Sequence, residues 1–136
     1  MSKHRPLKPS NKYFLPKETF LTVVHYCKQY PLWVDELRKT ADTGRAIRYD
    51  RERVQTSGDY DPTSETAIRR VELTKKKEMV DSVALLVAGK SMASWLINGV
   101  CHDRTYTALR AEGIPCGKNY YYALRRRFYY EMAKRI

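Results

Sequence analysis

Lys118, Asn119, Tyr122 and Arg126, followed by Arg127, Tyr130 and Lys134, are the side chains in this sequence whose types and spacing suit chemistry, and that chemistry is recognition of a polyanion. They lie in the run KNYYYALRRRFYYEMAKRI. At about 100° per residue, a helix through this run puts Tyr121, Leu124, Phe128 and Met132 on one apolar face. Asn119, Tyr122, Ala123, Arg126, Arg127 and Tyr130 then point outward, with Arg125 at the edge of the stripe. An ordinary solvated face mixes Glu with Lys, whereas this one has no acid before Glu131. From Arg104 to Ile136 there are eight Lys and Arg against two acids, so the basic field is concentrated at one end of a chain of net charge +11. Such a field attracts polyanions and speeds their encounter.

Other chemical signals dissolve on inspection. Ala88-Gly89-Lys90-Ser91 imitates the end of a phosphate-binding loop. The first glycine of that motif would fall at Ala84, in a segment that reads as helix, so a helix stop followed by an N-cap is the better reading. Cys101-His102-Asp103 has the letters of a nucleophile triad, but adjacent helical residues diverge by about 100° and cannot converge on one atom. His4 and His25 are isolated, and neither HExxH nor CxxC is present. We expect no catalytic site, no metal and no cofactor.

The elements that must position the basic face follow from the chain as a whole. With 136 residues, 43% hydrophobic content, six glycines and no long alternating runs, an all-α fold of one domain is expected. Cys27, Cys101 and Cys116 form an odd set without paired spacing, and no secretory leader is read, so a reducing cytoplasm is expected. No apolar run approaches the roughly 20 residues of a membrane helix.

Residues 1–12, basic and containing Pro6 and Pro9, read as a flexible arm. Residues 13–39 read as a small helical unit: a first helix from Pro16 to Pro31 carrying Phe20, Val23, Val24, Cys27 and Tyr30, and a second from Pro31 to Lys39 with Val34 and Leu37. Residues 40–61 read as a polar linker, with a turn or two of helix available from Ala46 to Gln55. Asp61-Pro62 is a strong helix start, and one long helix runs from Pro62 to Ala88, supported by Ile68, Val71, Val80, Val83 and Val87. Its N-terminal half, including Lys75-Lys76-Lys77, is expected to project into solvent or meet a partner. Gly89 stops it, Ser91 caps the next helix, in which Ala93, Leu96, Ile97 and Val100 face inward, and Asp103 caps the one after. The breaker Gly113-Ile114-Pro115-Cys116-Gly117 forces a corner, giving a C-terminal helix-turn-helix within residues 62–136.

In that geometry the N-terminal part of the last helix lies nearest to base edges, so Lys118, Asn119, Tyr122 and Arg126 are expected in the major groove of double-stranded DNA, with Ala123 leaving room for close approach. Arg104, Thr105, Arg110, Arg127, Tyr130 and Lys134 are expected on phosphates.

The chain resembles phage late-gene transcriptional regulators of the RinA/ArpU type. The resemblance rests on YFLPKETF followed by an amphipathic helix and the Tyr30-Pro31 step, on a polar stretch closed by Asp61-Pro62-Thr63, and on the closing IPCGKNYYYALRRRFYYEMAKRI. Its most specific part is an aromatic seven residues before the Phe of an arginine-rich element, here Tyr121 and Phe128. Cys116-Gly117 departs from the Ser or Thr more usual where the last helix begins. The resemblance implies a C-terminal domain similar to the promoter-reading region of sigma-70 factors (region 4), acting at promoters of packaging and morphogenesis genes. A small terminase-like packaging adaptor, assembling as a homo-oligomeric ring, and an RNA-binding antiterminator are the rival expectations. Phe20, Val24, Tyr30 and Trp33 are expected to pack on the long helix or to meet host RNA polymerase.

Overall fold

The structure, a computed structural model, describes residues 7–53 and 62–136, with side chains described for 7–41 and 64–136. It is all-α, with the described residues forming α1 (Lys17–Lys28), α2 (Tyr30–Arg53), α3 (Pro62–Ala88), α4 (Ala93–Cys101), α5 (Tyr106–Glu112) and α6 (Lys118–Ala133). They divide into two compact units, one made of the chain up to Pro31 together with Met79–Ile136, the other of Leu32–Glu78.

The first unit is built around α6. Its buried stripe, Tyr121, Leu124, Phe128 and Met132, is the expected one, widened by Tyr129. Val23, Val24 and Cys27 of α1 and Leu96, Val100 and Cys101 of α4 are buried in the same unit, as are Val80, Val83, Ala84 and Val87 near the end of α3. The ring of Phe20 meets that of Tyr129 edge-on at 5.4 Å, so α1 joins the C-terminal helices instead of forming a unit with the helix after it. Burying side chains of this size stabilises by about 1.5–3 kcal/mol each, which is why the apolar face decides the partner.

In the second unit the described parts of α2 and α3 pair antiparallel. Trp33 of α2 is buried, Leu73 of α3 fully so, and the Lys76 ammonium lies 5.9 Å from the Trp33 ring centroid. Arg69 pairs with Glu36 at 3.2 Å, and the Arg70 guanidinium donates to the Leu37 carbonyl at 2.5 Å and to Thr40 Oγ1 at 2.6 Å. Leu73 therefore anchors the N-terminal half of α3, while Ile68 and Val71 stay exposed. Of the four side chains expected to pack on the long helix or meet RNA polymerase, Val24, Tyr30 and Trp33 are buried. Tyr30 donates to Asp81 of α3 at 2.7 Å. Packing within the chain accounts for them.

Three local expectations need correction. The second helix does not stop at Lys39 but runs to Arg53, so residues 40–53 of the expected linker are helical, and residues 54–61 lie outside the described residues. Ala41, Ala46 and the Arg and Glu residues there are good helix formers, and one Gly44 costs only about 1 kcal/mol. Ser91 does not cap α4. Its N-cap is Met92, and the Gly89 carbonyl accepts from the Met92 and Ala93 N–H groups at 3.2 and 2.9 Å. Asp103 does not cap α5 either; it sits at φ 51°, and Thr105 supplies the cap. Of the arm, residues 1–6 lie outside the described residues, whereas Lys8 to Phe14 form a hydrogen-bonded turn.

Candidate nucleic-acid interface

The corner between α5 and α6 is set by backbone chemistry. Gly113 adopts φ 100°, in the left-handed region that glycine enters without strain. Its N–H donates to the Arg110 carbonyl and that of Ile114 to the Leu109 carbonyl, both at 3.1 Å. This is a Schellman stop, and its usual apolar pair, Leu109 and Ile114, is buried. Tyr106 Oη donates to the Cys116 carbonyl at 2.7 Å, tying the far side of the turn back to the start of α5. The first turn of α6 follows from Gly117, which is extended and offers no side-chain cap. The first-turn N–H groups at the positive end of the helix therefore receive no side-chain cap.

A groove of about 650 Å³ opens between the starts of α5 and α6, lined among others by Thr105, Thr107, Arg110, Gly117, Lys118 and Tyr122. Four of the residues expected to touch nucleic acid, Thr105, Arg110, Lys118 and Tyr122, thus share one concave surface. Lys118, Asn119, Ala123 and Arg110 are exposed, and Tyr122, Arg126 and Arg127 half-buried.

Other expected contacts are engaged with the protein. Arg104 is ion-paired with Glu112, and the Thr105 hydroxyl accepts from the Ala108 N–H at 3.2 Å. Tyr130 lies edge-on to Tyr13 at 5.4 Å, with the Lys134 ammonium 4.5 Å from its centroid. These two therefore stand apart from the groove, at the other end of α6.

Arg125 behaves differently from its neighbours. Its guanidinium lies 5.6 Å from the Tyr129 centroid and 5.9 Å from that of Tyr122, so it braces the aromatic rings and leaves Arg126 and Arg127 as the outward pair. Tyr129 and Tyr121 are each pushed up to about 12 by burial, against an ordinary value near 10 and despite Arg125. Burial, reinforced by the hydrogen bond to Asp81, raises Tyr30 still further.

A raised phenol contributes stability that is complete below the unfolded value and lost as pH climbs through the folded one. Stability is thus expected to fall between about pH 10 and 12. In an ultraviolet titration Tyr30, Tyr121 and Tyr129 should ionise later than a solvated phenol, together with unfolding; ionisation of all 11 tyrosines near pH 10 in a folded chain would contradict this.

Sequence reasoning missed Thr107, Tyr106 and the Gly99–Tyr121 contact, in which a Cβ at Gly99 would lie 1.7 Å from Tyr121 Oη. Only the spacing of Tyr129, one position beyond the apolar stripe, offered a signal for its burial. Of the Cys101-His102-Asp103 letters only Cys101 is helical; His102 is the C-cap of α4 and Asp103 follows in the left-handed region. Cys101 is buried, with its thiol raised by a hydrogen bond to Cys27 and by burial, while the His102 ring stands edge-on to Tyr30.

Among the described residues no helix is long and apolar enough to cross a membrane. Comparison of the chain with protein-family models, with curated proteins and with solved structures yields no match.

Proposed function

We propose that this chain is a sequence-specific double-stranded DNA-binding transcriptional regulator, without catalytic activity of its own, that acts at phage late-gene promoters in the cytoplasm of a bacterial host. The groove at the start of α6 carries this reading. It sets Arg110 and Lys118 beside Thr107 and Tyr122 and continues into the acid-free face of Asn119, Ala123, Arg126 and Arg127. Arginine pairs bidentately with guanine and asparagine with adenine, each pair giving about 1–3 kcal/mol of discrimination. Arg104 and Thr105 act in this reading through the cap and ion pair that hold α5. The promoter assignment rests on the resemblance of the α6 sequence described above.

The test separates reading from anchoring. Arg126→Ala is expected to relax sequence preference, and Arg127→Ala to weaken binding to all duplexes while flattening the salt dependence by roughly one unit. Wild-type affinity and salt dependence in both variants, on a fragment selected by footprinting, would remove α6 as the reading helix. A large ring in light scattering would favour the packaging adaptor instead.

A further inference from the structure

Along the outward side of α6, Asn119, Ala123, Arg126, Tyr130 and Lys134 follow one another at helical spacing. From Asn119 to Lys134 this line is roughly 22 Å long at 1.5 Å per residue. A straight helix whose first turns reach base edges rises out of the curved groove toward its other end, where the neighbouring groups of a duplex are phosphates. At that end the fold adds residues that the sequence places more than a hundred positions away.

Tyr13 meets Tyr130 edge-on at 5.4 Å. The Lys12 ammonium lies 4.9 Å from the Tyr13 centroid, as the Lys134 ammonium lies 4.5 Å from that of Tyr130. Two cations therefore flank one pair of phenols. Glu131 lies beside them, but it is shared by Lys134 at 3.4 Å and Arg135 at 3.2 Å, which hold its carboxyl below the usual range, chiefly through the hydrogen bond from Arg135. Lys12, Lys134 and Arg135 against one acid leave the cluster positive.

The segment that carries Lys12 is held in place. The Tyr13 N–H donates to Asn11 Oδ1 at 2.9 Å and the Phe14 N–H to the Asn11 carbonyl at 3.0 Å. The backbone that carries Lys12 is therefore set in a turn, and the ordering left on binding is that of the lysine side chain, about 0.5–1.5 kcal/mol. An exposed cation over an aromatic face is worth about 0.5–1 kcal/mol, too little to keep the Lys12 ammonium from a phosphate.

We propose that Lys12 and Lys134, seated on the Tyr13–Tyr130 pair, form a second anchor for the phosphodiester backbone of duplex DNA, beyond the groove at the start of α6. The anchor rests on the DNA-binding reading above and extends the footprint by the backbone at one flank of the site read by α6. Lys12→Ala is expected to weaken duplex binding about eightfold at about 0.1 M salt and to reduce the salt slope by about one unit, the effect of losing one phosphate contact. Tyr13→Ala, which removes the seat, should weaken binding in the same direction. Hydroxyl-radical footprints of both variants should lose protection at one edge only, with the rest retained.

Lys90→Ala, which removes the same charge from the turn between α3 and α4, is the control and should match the wild type. A wild-type chain that binds no duplex overturns the DNA-binding reading itself. Wild-type binding matched by Lys12→Ala, an equal loss in Lys90→Ala, or tighter binding of an RNA hairpin than of duplex each overturns the anchor.

Discussion

Gly99→Ala is expected to destabilise the protein by about 1–3 kcal/mol, although alanine is the better helix former by about 1 kcal/mol and Gly99 lies inside α4. The steric term wins because the added Cβ would meet Tyr121 Oη at 1.7 Å and Cζ at 2.8 Å, and Tyr121 is only 1% exposed, with no space into which to retreat. Among the described residues Tyr121 Oη is also the one buried side-chain polar atom without a hydrogen-bond partner. Stranding a hydroxyl in this way costs about 1–3 kcal/mol. Tyr121→Phe alone should therefore match or exceed wild-type stability, and in the Gly99→Ala background it should restore part of the loss, leaving a coupling of about 0.5–3 kcal/mol. Denaturant melts of the four proteins measure it. A Gly99→Ala chain as stable as wild type would show that α4 and α6 do not approach so closely.

The largest expected effect on binding comes from the groove. Arg110→Ala together with Lys118→Ala removes two cations that line it. Each lost phosphate contact costs about eightfold at about 0.1 M salt, so the pair should weaken duplex binding by roughly 60-fold and lower the salt slope by about two units. Both side chains are exposed, so the melting temperature should hardly change. Titration of a labelled duplex at several salt concentrations distinguishes this outcome from a folding defect. An unchanged slope would mean that the groove does not hold phosphate, and the binding face would have to be sought elsewhere.

The apolar positions of α6 were legible because a 3.6-residue period is a local property: Tyr121, Leu124, Phe128 and Met132 announce a buried stripe whatever they pack against. Pro62 and Gly89 likewise marked both ends of α3, since each acts on its own backbone. Caps were less legible. Asp103 and Thr105 are equally good cap residues by type, and only the path of the chain, with Asp103 in a left-handed conformation, selects Thr105. The length of α2 was missed for a related reason. Its polar second half has helix-forming residues without an apolar period, so no 3.6-residue pattern marks it as helix.

The sequence by itself determined the all-α fold, the corner at Gly113–Gly117 and the concentration of positive charge on one face of the last helix, because propensity, steric restriction and charge act within a few residues. Only the tertiary structure decided which basic and aromatic groups share a surface. It gathered Arg110, Lys118 and Tyr122 into one groove, turned Arg125 to the aromatic rings, set Gly99 under Tyr121, and brought Lys12 and Tyr13 to the far end of α6. Such neighbours are chosen by the packing of α1, α4 and α6 around a common core, and contacts between residues far apart in sequence leave no periodic trace in it.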